Sequence, residues 1–399
     1  MERRTLWLVA GIASALFSVL ACGGGLLLLA AALVGGVALT AAETLPLAGS
    51  MALSLLFGVP MISHGWARWR DRPSRSFDPP RAWLLWLLLA FLLLIGLGGV
   101  VSARSLAPAL LLPPIHVLAM TLPPLIVLCL VGRALRGAGG SWREVVASTV
   151  GGGSVAFGAS LVGEVLLVLA LVVAVTVVAL MLPGGAERVM ALAERLQDPA
   201  WQQDLTNLLD LLLSPLVFVS ALLLFSLPVP LIEEAFKTLA AGVAARWARP
   251  QPARAFLWGV AGGAGFALVE NLLGGALGGA EGWSLGAISR MGATVMHCLT
   301  SGLVGWGWGQ LWTARKPLRL LGCYGAAVTI HGVWNAIAVG LAFGGASALA
   351  YEEDATRFAL IGVGMMALAG LLGLLTVAFI GVLIVAARRL ASESEVSAL

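Results

Sequence analysis

The chain of 399 residues is 60% hydrophobic and 11% charged, with a mean hydropathy of +0.98. An average soluble domain is about 25% charged, so a water-soluble fold of this size is excluded. Unbroken apolar runs of roughly 20 residues and more exclude the alternating strands of a membrane barrel and require helices, and a net charge of +4 is too small to point to nucleic acid.

Ten spans are predicted, at 6–40, 45–66, 82–103, 108–132, 150–183, 211–245, 255–278, 285–312, 320–345 and 358–387. The first begins after Arg3 and Arg4 and stays apolar past Cys22, which favours a retained helix over a cleaved lipoprotein signal. Arginine clusters at 68–81, 133–143, 246–254, 315–319 and 388–389 alternate with acidic or neutral breaks at Glu43, near Arg104, at 184–210, at Glu281 and at Glu352–Asp354. That alternation fits the positive-inside rule. The expected fold is all-α, a polytopic membrane helix bundle of about ten transmembrane helices (range 8 to 11) with both termini cytoplasmic.

Residues 184–210, with Val189, Leu192 and Leu196 among charged residues, read equally well as an interfacial amphipathic helix or a solvated loop helix. Pro228 and Pro230 predict a kink in the sixth span. The small-residue pairs Gly259/Gly263 and Gly305/Gly309 predict close helix packing. Cys22, Cys129, Cys298 and Cys323 show no CxxC spacing and read as inert buried thiols. Three regions are expected: 1–205 with five helices and an interfacial segment, 206–345 with four polar-bearing helices, and 346–399 with the last span and a short tail.

Ionisable groups concentrate in the second half. The sixth span carries Glu233, Glu234 and Lys237, the seventh Glu270 and Asn271, the eighth Arg290 and His297, and the ninth His331 and Asn335. A charge at the bilayer centre costs roughly 2.5–3.5 kcal/mol on insertion scales, so these groups require partners. Glu233, Glu270, His297 and His331 lie 12 to 18 residues from the nearest basic helix end, roughly 18–27 Å along each helix, which brings all four to mid-membrane depth. They are expected to converge within roughly 10 Å, because polar stripes cannot face lipid. Lys237 is one of only two lysines against 22 arginines, and the spacing favours its pairing with Glu233 four residues earlier. His64 and His116 read as packing histidines, Glu164 as either a separate functional acid or a residue of a re-entrant or interfacial stretch, and Arg290 as a brace or a partner of Glu281.

Two imidazoles and a carboxylate, with water in the open position, make a plausible zinc site, here His297, His331 and Glu270, in which a further glutamate would activate the water. A metal-free alternative uses glutamate as general base, with histidine and asparagine donating to the developing oxyanion.

Glu-Glu-Ala-Phe-Lys at 233–237, Phe-Ala-Leu-Val-Glu-Asn at 266–271, Arg290 with His297, and His-Gly-Val-Trp-Asn at 331–335 resemble the successive motifs of the PrsW family of intramembrane metalloproteases. That family is similar to the wider superfamily of CAAX prenyl endopeptidases and bacteriocin-processing membrane enzymes. The resemblance spans residues 211–345 and implies peptide-bond hydrolysis in or beside the membrane. The site it implies comprises Glu233, Glu234, Glu270, His297, His331 and Asn335, with the first glutamate catalytic and the second structural. Lys237 and Asn271 are added as candidates from their places on the same stripes. The expected partners are membrane lipids and a membrane-protein or peptide substrate, and the expected location is a bacterial cytoplasmic membrane. Substrate would enter from the cytoplasmic half or laterally, past the basic rim of Arg246, Arg249, Arg254, Arg315, Lys316 and Arg319. Two other classes fit the polar helices: a proton-coupled secondary transporter, disfavoured because polar groups concentrate in one half, and a catalytically silent scaffold or immunity protein.

Overall fold

The computed structural model describes residues 2–36, 38–274 and 282–396, and these contain sixteen α-helices and no strand. In chain order they are α1 (Glu2–Val34), α2 (Ala41–Trp69), α3 (Arg81–Ala103), α4 (Pro108–Ala134), α5 (Trp142–Gly151), α6 (Phe157–Met181), α7 (Gly185–Gln197) and α8 (Pro199–Gln203). The remainder are α9 (Leu205–Leu212), α10 (Pro215–Ser226), α11 (Pro228–Lys237), α12 (Leu239–Ala248), α13 (Pro252–Leu273), α14 (Trp283–Ala314), α15 (Pro317–Ala350) and α16 (Ala355–Val396). A π-helical segment, Gly152–Ala156, joins α5 to α6.

Each predicted span coincides with helix, and the end of the seventh, with Glu281 beyond it, lies outside the described residues. Nine of the described helical stretches are long and apolar enough to cross a membrane, and the protein is an integral membrane protein. The eighth predicted span, α14, is long but not among the nine, because it carries Arg290, His297, Thr300 and Gln310. Its polar middle is instead buried against protein.

By its contacts the chain forms two compact units, one of Met1–Phe157, Glu234–Ala327 and Thr376–Leu399, the other of Gly158–Glu233 and Val328–Leu375. In the first unit α13 is buried at nearly every position, as a helix enclosed by other helices must be. One apolar cluster joins it to α2, α3, α4 and α14 through Leu45, Phe57, Phe91, Met120, Leu272 and Trp283. A second joins it to α4, α14 and the end of α16 through Val131, Leu135, Phe256, Leu257, Leu299 and Leu383. A Cβ at Gly263 would overlap the His297 carbonyl, and Gly259 faces Gly305. The predicted small-residue pairs thus let α13 and α14 meet backbone to backbone.

Polar caps set the starts of two helices. Glu43 Oε2 accepts from the Thr40 amide at 2.7 Å at α2, and Glu144 Oε2 accepts from the Ser141 amide at 2.9 Å at α5. Glu144 also pairs with Arg254 in the first turn of α13, tying the two helix starts together. All four cysteines are free.

In the second unit α6 exposes Val162, Leu166, Val173 and Val178, an apolar surface suited to lipid rather than water. The 184–210 segment forms three short helices and an adjoining loop, with Asp198 and Asp204 capping α8 and α9 by accepting from Ala200 and Thr206 amides at 2.9 Å. The kink predicted from Pro228 and Pro230 is present at Leu227, with φ −132° and ψ −67°. Neither proline has an N–H to offer the preceding turn, and α15 packs onto this break. Asn335 Nδ2 donates to the Phe225 carbonyl at 2.9 Å, and Gly332 lies so near the Ser226 carbonyl that a Cβ would overlap it. Phe218 and Phe343 meet edge to face at 4.9 Å between ring centres.

Candidate functional site

The boundary between the two units falls between consecutive residues of α11, Glu233 and Glu234. Side chains on adjacent helical residues diverge by about 100°, so one turn serves two sets of neighbours.

Glu234 and Lys237 belong to the first unit, and both side chains are 0% exposed. Lys237 Nζ donates to Glu234 Oε1 at 2.9 Å, and Thr300 Oγ1 donates to the same oxygen at 3.1 Å. The pairing predicted from spacing alone favoured Glu233, whereas the pair on α11 described here is Glu234–Lys237, three residues apart. Lys237 Nζ also lies 2.7 Å from His297 Nδ1 and 4.4 Å from the centre of the Phe266 ring. An ammonium only donates, so Nδ1 accepts and Nε2 carries the imidazole proton. His297 Nε2 stands 2.7 Å from Glu270 Oε2.

The same oxygen, Glu270 Oε2, also accepts from Arg290 Nη2 at 2.8 Å. Arg290 Nε donates to Asn271 Oδ1 at 2.8 Å. Asn271 Nδ2 in turn donates to Thr294 Oγ1 at 3.0 Å and to the Met120 carbonyl at 3.3 Å. A continuous chain, Glu234–Lys237–His297–Glu270–Arg290–Asn271, therefore links α11, α13 and α14 to α4. Arg290 is a brace as expected, with Glu270 and Asn271 as its partners.

In the second unit His331 Nε2 lies 3.8 Å from Glu233 Oε2, and both side chains are buried. Gly332 and Asn335 seat the His331 turn of α15 on the Leu227 break, just before the helix that carries Glu233. Asn335 thus engages a backbone carbonyl and anchors the His331 turn. Three buried side chains offer donors of the kinds zinc accepts, Glu233 and His331 in the second unit and His297 in the first.

His116 is the packing residue expected. Its Nδ1 accepts from Trp283 Nε1 at 3.2 Å and its Nε2 donates to the Leu272 carbonyl at 3.1 Å. Glu164 and His64 are half-buried, and His64 stands outside the chain of contacts described above. The sequence reading did not single out Thr300 or Trp308. Thr300 lies three residues after His297 on the same helical face, a signal that was present. Trp308 Nε1 donates to Thr238 Oγ1 at 3.1 Å and steadies a second break, between α11 and α12, that no proline announces.

Neither curated proteins nor solved structures provide a match. The sequence does match the PrsW family of intramembrane metalloproteases over residues 164–371, slightly more than half of the chain. This stretch extends beyond both ends of the 211–345 motif region and contains all eight candidate residues. The chain therefore belongs to the PrsW family of intramembrane metalloproteases.

Proposed function

We infer that the protein hydrolyses a peptide bond of a membrane-associated protein, with Glu233 as the base that takes a proton from the attacking water. The observation that carries this reading is the division of labour on α11. Glu234 is held by Lys237 and Thr300, whereas its neighbour Glu233 faces an imidazole, His331. A carboxylate locked to a buried ammonium is a poor proton acceptor, because the positive charge stabilises its ionised form. One beside a histidine has a partner for proton traffic.

The family is one of metalloproteases, and in this reading Glu233, His297 and His331, each buried, would supply one carboxylate and two imidazoles, donors of the kinds zinc accepts. Bound there, zinc would polarise the scissile carbonyl and lower the pKa of the water. A carboxylate has two oxygens, so Glu233 can serve as a donor through one and receive a proton at the other. Glu270, placed on His297 Nε2 and gripped by Arg290, is better suited to orient that imidazole than to be the third ligand. His297 now has a partner at each ring nitrogen, and becoming a ligand requires it to release one.

The protease core in this reading is 206–345, and its substrate enters from the cytoplasmic half or laterally. Zinc content and cleavage of a membrane-inserted reporter polypeptide, measured on purified wild type, Glu233→Gln and Glu234→Gln, test it. The expected result is zinc near one per chain, no cleavage by Glu233→Gln at undiminished thermal stability, and lowered stability for Glu234→Gln. Cleavage surviving in Glu233→Gln but lost in a folded Glu234→Gln would reverse the two roles.

A further inference from the structure

Four arginines far from the candidate catalytic groups in sequence line one cleft of about 670 Å³ in the first unit: Arg81, Arg133, Arg136 and Arg388. They come from three helix ends, the start of α3, the end of α4 with the loop after it, and the last part of α16. Asp78 lines the cleft too, so its formal charge is about three positive. Among the described residues none of these five is in an ion pair. A concave surface of unneutralised guanidinium groups is a costly way to build a scaffold, since like charges repel without benefit to the fold. Arg presents a planar fork of donors that matches phosphate oxygens.

We propose that this cleft binds the phosphate-bearing headgroup of an anionic membrane lipid, with a doubly charged headgroup filling it best. Two features favour a lipid over a soluble phosphate. Two apolar members of the lining, Leu130 and Ile384, lie one helical turn from Arg133 and Arg388 toward the membrane-spanning parts of α4 and α16. Phosphate at the arginines would thus place the start of an acyl chain on Leu130 and Ile384. An aromatic group adjoins the same end of α3: Trp83 meets Trp142 at 6.1 Å and Trp142 meets Phe77 at 4.5 Å between ring centres. Tryptophans of this kind mark the level of lipid headgroups. The α3 N-terminus, with Pro80 at its cap and no acidic residue in its first turn, adds its positive dipole end to the arginines. Basic clefts between spanning helices are general sites for phosphorylated headgroups. The site does not depend on the protease reading.

The test uses the full chain in neutral detergent, with bound lipid counted by native mass spectrometry and thermal unfolding followed in parallel. The probes are a diphosphatidylglycerol lipid, a phosphatidylglycerol, a phosphatidylcholine and sodium pyrophosphate. The proposal expects saturable binding of the first, weaker binding of the second and no saturable binding of the third. Each arginine near a lipid surface is worth roughly fivefold in affinity, so Arg133→Gln/Arg388→Gln should weaken the diphosphatidylglycerol complex roughly 25-fold. Arg249→Gln/Arg315→Gln, two exposed arginines outside the cleft, should leave it unchanged. Unaltered helicity and unfolding temperature of the lipid-free variants would separate lost binding from lost folding. Equal affinity in the two double variants, or phosphatidylcholine binding as tightly, would overturn the site. Pyrophosphate binding as tightly as the lipid would overturn its assignment to a membrane source.

Discussion

Lys237 offers the sharpest test of how the polar chain is held together. Its ammonium lies 2.9 Å from Glu234 Oε1 with both side chains fully buried, 2.7 Å from His297 Nδ1 and 4.4 Å from the Phe266 ring centre. Lys237→Met keeps most of the volume and removes the charge, leaving the Glu234 carboxylate with Thr300 Oγ1 but without its counter-ion. Breaking a buried pair in this way costs roughly 3–5 kcal/mol, comparable to a third of a typical protein's stability. The corresponding fall in unfolding temperature, with an unfolding entropy scaled to 399 residues, is roughly 4–6 °C. Glu234→Gln/Lys237→Met removes both charges and should recover much of that loss, since the desolvation cost of an unpaired charge disappears. Unfolding midpoints of wild type, the two single variants and the double variant in one detergent form the cycle. If the double variant's loss equals the sum of the single losses within about 0.5 kcal/mol, the two groups do not act as a pair, and the account of Glu234 as a locked carboxylate fails with them.

Three further outcomes follow from particular contacts. Arg290→Met should lower the cleavage rate about 10- to 100-fold, the usual effect of removing a group that orients a ligand's partner, with Arg290→Lys recovering part of it through Glu270 alone; cleavage at the wild-type rate in Arg290→Met would separate Glu270 from the site. Gly332→Val should abolish cleavage and lower the unfolding temperature, because its side chain must displace α15 from the Ser226 carbonyl, whereas Asn335→Ala should cost about 1 kcal/mol in a thermal melt through one lost hydrogen bond. His116→Ala should cost about 1–3 kcal/mol by leaving Trp283 Nε1 and the Leu272 carbonyl without their shared partner, with cleavage per folded molecule unchanged; a folded but inactive His116→Ala would give His116 a role beyond packing.

The helices and their polar faces could be read from the chain because the two signals involved are local. Apolar length and arginine clusters mark spans, and three- or four-residue spacing marks faces. The Leu227 break was legible too, since Pro228 and Pro230 remove N–H donors wherever they stand in a helix. What stayed hidden is which group on one face meets which on another. Spacing ranks Glu233 above Glu234 as a partner for Lys237 by a few tenths of a kcal/mol, and such a margin yields to any tertiary contact. Here Thr300 on α14 donates to the oxygen that Lys237 also reaches, and Phe266 supplies a ring face to the ammonium. The same reasoning explains Arg290. Glu270 and Asn271 are the groups α13 brings to it, across a seam where Gly259 and Gly263 let the backbones of α13 and α14 approach closely. Asn335 was chosen for its place on the His331 face, and that choice could not reveal that its partner would be a main-chain carbonyl, because every residue carries one. The break at Thr238 has no proline or glycine to announce it and is legible only through Trp308, seventy residues away. Glycine and proline therefore carry the parts of the site that can be anticipated: they state where backbone must approach or part. The identity of each hydrogen-bonded pair depends on helix rotation, which a periodic pattern constrains only to within the width of a face.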